Sequence, residues 1–388
     1  MLCKRFGRTR VEIPAIVQGT SGAGSYSSYE AQRVRERIEV LKYGIDLGMT
    51  YLDTGDLYGG GLAEEIVGEV IKGRRHDIFV ASKFNPRENV FSSVMSSVDG
   101  SLKRMHTDYI DLYQVHWPNP LLPLPEIMRA LAALVEQSKI RFIGLSNFTL
   151  DEFREAQSCL PGHTIVSDQV EYNLIDRSAE DDLIPFCREA GVTLLAYSSL
   201  NQGRFLLKQD QEDALGRLAA KNSKTRAQIV LRWLISHGPV VAITRSMNRV
   251  HTAENAGAAD FCLEEEDIRE IDGVYRHPSI AVPPQRVRVR ISDAAPVYTT
   301  LKEALDNPLD LIPSPLVLSR MTLKRKSMKP IRLVPTTDTS GKYDYDIDSF
   351  DVRDNVKKYW AWIIAYGDQV EMPAVLVNQK SGCLKHGR

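Results

Sequence analysis

Eight short apolar runs, each ending in polar residues and followed by a stretch of helical period, constrain this chain more than its composition does. The runs cover residues 15–18, the strand that closes on Asp53, 78–81, 109–115, 140–145, 165–168, 192–196 and 240–243. Between them, apolar residues recur at steps of three and four, as in Val34, Ile38, Leu41 and Ile45 or Leu62, Ile66 and Val70. Helices are expected over 124–137, 179–190 and 225–236, and two starts carry capping boxes, Thr149 with Glu152 and Thr225 with Gln228. Strand and helix in strict alternation describe parallel crossovers, and eight of them close a barrel of about 250 residues. The expected fold class is α/β: a (β/α)8 TIM barrel with an N-terminal β-hairpin around residues 6–14 and a C-terminal α+β extension.

Polar residues stand at the carboxyl end of every run, which is where such barrels keep their chemistry. The densest stretch is Tyr51-Leu52-Asp53-Thr54-Gly55-Asp56-Leu57-Tyr58-Gly59-Gly60-Gly61. Singly, Asp53 reads as a loop-capping carboxylate, Tyr58 as a half-buried aromatic and His116 as a satisfied core histidine. Together with Lys83 they read otherwise, because a lysine that closes a buried strand needs an acidic partner.

The segments Leu52-Asp53-Thr54-Gly55 with Tyr58-Gly59, Ser82-Lys83, Asp108 to Leu112 through His116-Trp117-Pro118, Gly144-Leu145-Ser146-Asn147-Phe148 and Gln169-Val170-Glu171-Tyr172-Asn173 closely resemble the aldo-keto reductase family. The resemblance runs in order from about Phe6 to Tyr275. It implies a catalytic tetrad of Asp53, Tyr58, Lys83 and His116. Tyr58 would protonate the alkoxide that forms as hydride reaches a carbonyl carbon. Lys83 would lower the phenol's pKa, Asp53 would hold Lys83, and His116 would orient the carbonyl oxygen. It also implies a nicotinamide cofactor, with Ser146, Asn147 and Gln169 on the carboxamide, Tyr197 stacked on the ring, and Gly19 and Thr20 lining the floor. Ser198 and Leu200 would flank the pyrophosphate, although Asn201-Gln202-Gly203 departs from the usual run.

NADP(H) is the expected cofactor and NAD(H) the alternative. Arg245 and Ser246 lie where the family holds the adenosine 2'-phosphate; His251 replaces a common second arginine, and Arg249 is near enough to substitute. Glu254 and Asn255 match the adenine-reading positions. Trp117 is the expected wall of the substrate pocket, with Tyr26 and Asn85 as further candidates.

With 49 Lys and Arg against 50 Asp and Glu, the net charge of -1 gives no global pull toward nucleic acid or membrane. Cys3, Cys159, Cys187, Cys262 and Cys383 show neither metal-ligand nor disulfide-framework spacing, so no metal is expected and the thiols read as reduced and cytoplasmic. No apolar run approaches the ~20 residues of a membrane span, and the charged start does not read as a signal peptide. The expected organisation is a barrel over 1–276, a linker over 277–290 and an α+β extension over 291–388. In the extension Arg286, Arg288 and Arg290 alternate with apolar residues as in an edge strand, and short helices are expected over 300–305 and 352–365. Lys324-Arg325-Lys326 reads as solvated surface, with nucleic-acid binding as the alternative. Strands at 331–334 and 373–377 around the second helix faintly resemble the start of ParB-like and sulfiredoxin-like modules, without the completing motif. The extension could also pack against a second subunit, making a homo-oligomer. Two functions stand at this point: carbonyl reduction on a small-molecule substrate, or a cofactor-binding redox sensor whose extension carries the output.

Overall fold

A computed structural model describes residues 1–22, 31–87, 89–201, 203 and 214–275, together with four two-residue strands between 287 and 372. The chain divides into two compact units, Met1–Ala281 and Val282–Arg388. The second unit contributes two small antiparallel pairs to the described residues, Val287–Arg288 with Glu371–Met372 and Thr336–Thr337 with Tyr343–Asp344. The first of these strands falls within the expected arginine-alternating edge. The expected helices at 300–305 and 352–365, the strands at 331–334 and 373–377, and the basic cluster lie outside the described residues.

The first unit opens with a hairpin, β1 (Cys3–Arg5) and β2 (Glu12–Pro14), paired antiparallel. Eight parallel strands then close on themselves: β3 (Ile16–Gly19), β4 (Tyr51–Asp53), β5 (Phe79–Phe84), β6 (Ile110–Val115), β7 (Ile140–Ser146), β8 (Ile165–Glu171), β9 (Thr193–Tyr197) and β10 (Val240–Thr244), with β10 returning to β3. Helices α1 (Ala31–Asp46), α2 (Leu62–Ile71), α3 (Val90–Met105), α4 (Leu124–Glu136), α5 (Leu150–Ser158), α6 (Leu183–Ala190), α7 (Ala214–Asn222) and α8 (Arg226–Ile235) lie between strands, and α9 (Arg249–Gly257) and α10 (Glu265–Tyr275) follow the last.

Two cores result from the alternation of strand side chains. One face of each strand joins the helices in the larger cluster, whereas Val17, Tyr51, Phe79, Ala81, Leu112, Val166, Leu195, Val241 and Ile243 form the smaller one inside the barrel. The hairpin closes the amino-terminal end of that interior with Phe6 and Ile13, both fully buried. Phe6 meets Phe79 edge-on at 5.1 Å. Lys4 clasps the hairpin to the α8–β10 connection by donating to the carbonyls of Ile235, Gly238 and Val240 at 2.6–2.7 Å.

Both capping boxes form, with Thr149 and Glu152 at α5 and Thr225 and Gln228 at α8 exchanging side-chain and backbone bonds. The helix expected over 179–190 instead begins at Leu183, after a separate 3-10 turn over Ser178–Glu180. Pro185 explains the break, because proline has no N–H to donate and is tolerated only in a helix's first turn.

Asp168 carries a cost that this architecture imposes. It sits on β8, wholly buried, and neither carboxyl oxygen reaches hydrogen-bond geometry. Burial holds its pKa well above the usual carboxylate range, although the nearby amides of Phe148 and Gln169 work against the shift. A raised folded-state pKa means that the folded protein keeps a proton the unfolded chain releases above pH ~4, so stability falls as pH rises from there toward the folded value. Asp168→Asn is therefore expected to raise the melting temperature at pH 7.5 by at least ~2 °C, and by less at pH 4.5. Thermal melts of both proteins across that range check it, and an unchanged or lowered Tm at pH 7.5 would contradict it.

Candidate active site

At the carboxyl-terminal mouth of the barrel, the three residues that close β4, β5 and the following turn meet. Lys83 is wholly buried on β5, facing the interior, and Asp53 at the end of β4 is 3% exposed. The Lys83 ammonium donates to Asp53 Oδ1 at 2.6 Å, to the Thr54 carbonyl at 2.9 Å and to the Tyr58 hydroxyl at 3.3 Å. Tyr58 begins a 3-10 turn, Tyr58–Gly61, in which Gly59, Gly60 and Gly61 all take left-handed conformations with φ of 63°, 67° and 99°. Three successive left-handed residues are accessible only to glycine at little cost, and they turn the chain straight from the phenol into α2. His116 follows β6 and meets the Tyr58 ring edge-on, with centroids 5.7 Å apart.

Burial alone would lower the Lys83 ammonium, but Asp53 and the phenol outweigh it and hold its pKa above the ordinary value. For Tyr58, burial raises the pKa and is the largest effect; Lys83 pulls it down, and Asp53 pushes it up again. Lys83 thus acts in the expected direction, while burial outweighs it and leaves the phenol's pKa above the ordinary value, since a single 3.3 Å contact does not overcome desolvation of the ring. The phenol is held protonated, the form a proton donor needs.

Asp53 is gripped from three further directions. Its Oδ2 accepts from Gln169 Nε2 at 2.8 Å, and its carbonyl accepts from the backbone N–H and the hydroxyl of Thr20 at 2.9 and 3.0 Å. Gln169 and Thr20, expected as cofactor contacts, thereby hold Asp53, a connection the motifs do not announce. Ser146 Oγ donates to the Gln169 carbonyl at 2.9 Å. Asn147, left-handed at φ 65°, donates through Nδ2 to the His116 carbonyl at 2.9 Å and accepts through Oδ1 from the Tyr197 hydroxyl at 2.9 Å. The Tyr197 ring is pinned by its hydroxyl. Ser198 is left-handed, Leu200 packs on the outer core, and Ser199 Oγ bridges the Ala196 and Ile243 carbonyls, tying β9 to β10. Gly19 ends β3, where a Cβ would come within 3.0 Å of Ile243.

Asp56, two residues before Tyr58, was not among the expected site residues. Burial, reinforced by the Glu64 carboxylate and opposed by Arg104 and Arg87, pushes its carboxyl up to about 6. Leu57 and Trp117, 51% and 44% exposed, flank Tyr58 and His116 in sequence as apolar surface at the mouth. Asn85 is half-buried just past β5, and Tyr26 lies outside the described residues.

A second cluster follows β10. Arg245 is exposed and donates to the Ser21 carbonyl at 3.1 Å; Ser246 Oγ donates to the Asn248 carbonyl at 2.8 Å. Asn248 caps α9 through the His251 amide. Arg249, in the first turn of α9, lies over the Tyr43 ring and 3.8 Å from Glu39 of α1. Glu254 is half-buried and Asn255 buried further along α9. Arg37 of α1, 2% exposed, also donates to the Ser21 carbonyl, at 3.3 Å. It occupies the apolar stripe of Val34, Ile38 and Leu41, and a charge on a buried helical face was the signal available in the sequence.

A closed (β/α)8 barrel with a buried carboxylate–ammonium–phenol chain at its carboxyl-terminal mouth defines a barrel oxidoreductase. The chain belongs to the aldo/keto reductase family, whose model matches residues 15–276. It is 32% identical over 269 residues to methylglyoxal reductase YeaE of Escherichia coli, covering 69% of this chain and 93% of that protein. It is likewise 32% identical over 262 residues to a glyoxal reductase of Bacillus subtilis, covering 67% and 91%. Among solved structures, the thermostable aldo-keto reductase Tm1743 in complex with epalrestat superposes with a TM-score of 0.66 at 42% identity, covering 71% of this chain and all of that one. An aldo-keto reductase from Klebsiella pneumoniae in complex with NADPH gives 0.65 at 33%, covering 73% and 98%.

Proposed function

We propose that this protein reduces an aldehyde or ketone to its alcohol with NADPH, in the cytosol. The reading is carried by one observation: the buried Lys83 ammonium, 2.6 Å from Asp53, lies 3.3 Å from the hydroxyl of a phenol at the barrel mouth. The donor set fits a nicotinamide dinucleotide. Amide and hydroxyl groups of Ser146, Asn147 and Gln169 lie together for a carboxamide, the pinned Tyr197 offers a flat ring face, and Arg245 offers a guanidinium for phosphate.

When bound, the reduced nicotinamide supplies a hydride to the carbonyl carbon. Tyr58 gives its hydroxyl proton to the carbonyl oxygen as charge builds there, and the phenolate left behind is stabilised by the Lys83 ammonium. Asp53 keeps that ammonium charged and fixed, while Gln169 and Thr20 hold Asp53. His116 hydrogen-bonds the carbonyl oxygen and aims it at the phenol. Trp117 and Leu57 supply apolar walls, with Asn85 as further lining. The barrel, residues 1–276, carries this activity.

The test is NADPH oxidation with a panel of carbonyl compounds that begins with methylglyoxal and glyoxal, the substrates for which the relatives are named. Tight NADPH binding with negligible turnover across the panel would favour the redox-sensing alternative. In the same assay, Arg245→Ala is expected to lower the NADPH-to-NADH efficiency ratio by about tenfold, ~1.4 kcal/mol. An unchanged ratio would remove Arg245 as the phosphate reader.

A further inference from the structure

A second pair of carboxylates lies against the site without belonging to the proton chain. Asp56 donates its backbone N–H to the Lys83 carbonyl at 3.1 Å, which ties it to the strand of the buried ammonium two residues before the phenol. Its Oδ1 is buried and accepts no hydrogen bond among the described residues. Glu64 from the first turn of α2, Arg104 from α3, Arg87 from the loop after β5 and the Tyr113 phenol of β6 all face it. Glu64 is wholly buried and holds the nearer guanidinium: Arg104 Nε donates to its Oε2 at 2.6 Å, and Ser82, next to Lys83, donates to its Oε1 at 2.5 Å. Arg104 lies on Gly61, where a Cβ would stand 2.6 Å from its Cδ, so it has little room to turn toward Asp56 instead. One of the two carboxylates is satisfied, and Asp56 makes no ion pair among the described residues.

We infer that Asp56 is a positioning residue for proton transfer at Tyr58, a carboxylate whose negative charge opposes the phenolate formed there, so that neutralising it speeds reduction. The consequence for turnover rests on the reductase reading above; the coupling of carboxyl to phenol does not. In reduction Tyr58 gives its hydroxyl proton to the oxygen of the carbonyl that receives hydride. The carbonyl π pair forms the new O–H bond, and the old O–H pair stays on the phenolate until water reprotonates it. Burial is the largest obstacle to that phenolate; Lys83 favours it, and Asp53 and then Asp56 disfavour it. Asp53 is bonded to the Lys83 ammonium, but Asp56, its carboxyl pushed up to about 6 by burial and by Glu64, gives up its charge in mild acid. Below that pH the phenolate faces one negative charge fewer, so the barrier to proton transfer falls as the medium turns acid.

The experiment uses the full chain. Carbon-13 NMR without nucleotide follows Asp56 Cγ and Tyr58 Cζ, assigned by their loss in Asp56→Asn and Tyr58→Phe. Both resonances are expected to move through one midpoint near pH 6. Through the same midpoint, kcat/KM for NADPH-dependent reduction of the best carbonyl substrate in the panel should rise about threefold as pH falls. Asp56→Asn, nearly isosteric, should abolish both the Tyr58 response and the step in rate, and raise kcat/KM at pH 7.5 by about threefold. A residue with only a packing role would instead lower it at every pH. Asp56→Glu should restore a step. Arg87→Gln removes an exposed cation that favours the ionised carboxyl, so it should move the midpoints of carboxyl, phenol and rate to higher pH together. That variant decides the matter should Asp56→Asn fail to fold. A Tyr58 response or a rate step that persists in Asp56→Asn, turnover lowered at every pH, or midpoints unmoved in Arg87→Gln would overturn the inference and leave the reductase reading intact. A wild-type chain that turns over no compound of the panel would remove the reductase reading, and the Tyr58 resonance would then decide by itself whether carboxyl and phenol are coupled.

Discussion

Tyr58→Phe is expected to lose carbonyl reduction by about 10²- to 10⁴-fold, the range for deleting a positioned general acid, or ~3–5 kcal/mol of transition-state stabilisation. The substitution removes a single oxygen. The ring keeps its edge-on contact with His116, and Lys83 keeps the 2.6 Å bond to Asp53 and the 2.9 Å bond to the Thr54 carbonyl, so the fold should persist. NADPH affinity should stay within a few-fold, because Ser146, Asn147 and Tyr197 do not depend on the phenol. Steady-state turnover and nucleotide titration of the purified variant decide the matter. Turnover close to wild type would remove Tyr58 as the proton donor.

Lys83→Met tests a different link, in which catalysis and stability share one residue. Without the ammonium, Asp53 is a buried carboxylate whose side-chain support is reduced to Gln169, and an uncompensated buried charge costs roughly 3–5 kcal/mol. Turnover should fall at least 10²-fold, because the phenolate formed on proton transfer loses its counter-charge. The two losses separate in the double variant Asp53→Asn/Lys83→Met, which removes both charges. It should recover most of the lost melting temperature and none of the turnover. If the double variant is as unstable as the single one, the Asp53–Lys83 pair contributes packing rather than charge balance; if it recovers turnover, Lys83 has no role in the proton transfer.

The barrel was legible because its signal is repeated and local. Buried parallel strands must be short and apolar, the helices covering them must be amphipathic, and each capping box satisfies its own helix end. These requirements act within a dozen residues, so Thr149 with Glu152 or Leu62 with Ile66 betrays them without reference to the rest of the chain. The meeting of Asp53, Tyr58, Lys83 and His116 at one mouth was legible for the same reason, as motifs at strand ends that resemble one family. Pro185 is an equally local signal that a helix running on from residue 179 must break before it, although the apolar period continues through it.

What tertiary structure alone decided involves residues far apart in sequence. Gln169 reaches Asp53 across 116 positions, and neither residue's neighbours announce the bond. The sign of the Tyr58 shift depends on the balance between burial and one ammonium, which no spacing encodes. Asp168 looks like an ordinary carboxylate until β8 is buried around it. Arg37 and Arg245 share a carbonyl only because closing β10 onto β3 brings the loop after the last strand to the loop after the first. Sequence by itself determined which residues could form strands, helices and a proton-transfer site. Closure of the barrel decided which charges meet, because Coulomb and desolvation energies depend on distance and burial in space, and both are set only when the strands are brought together and the last pairs with the first.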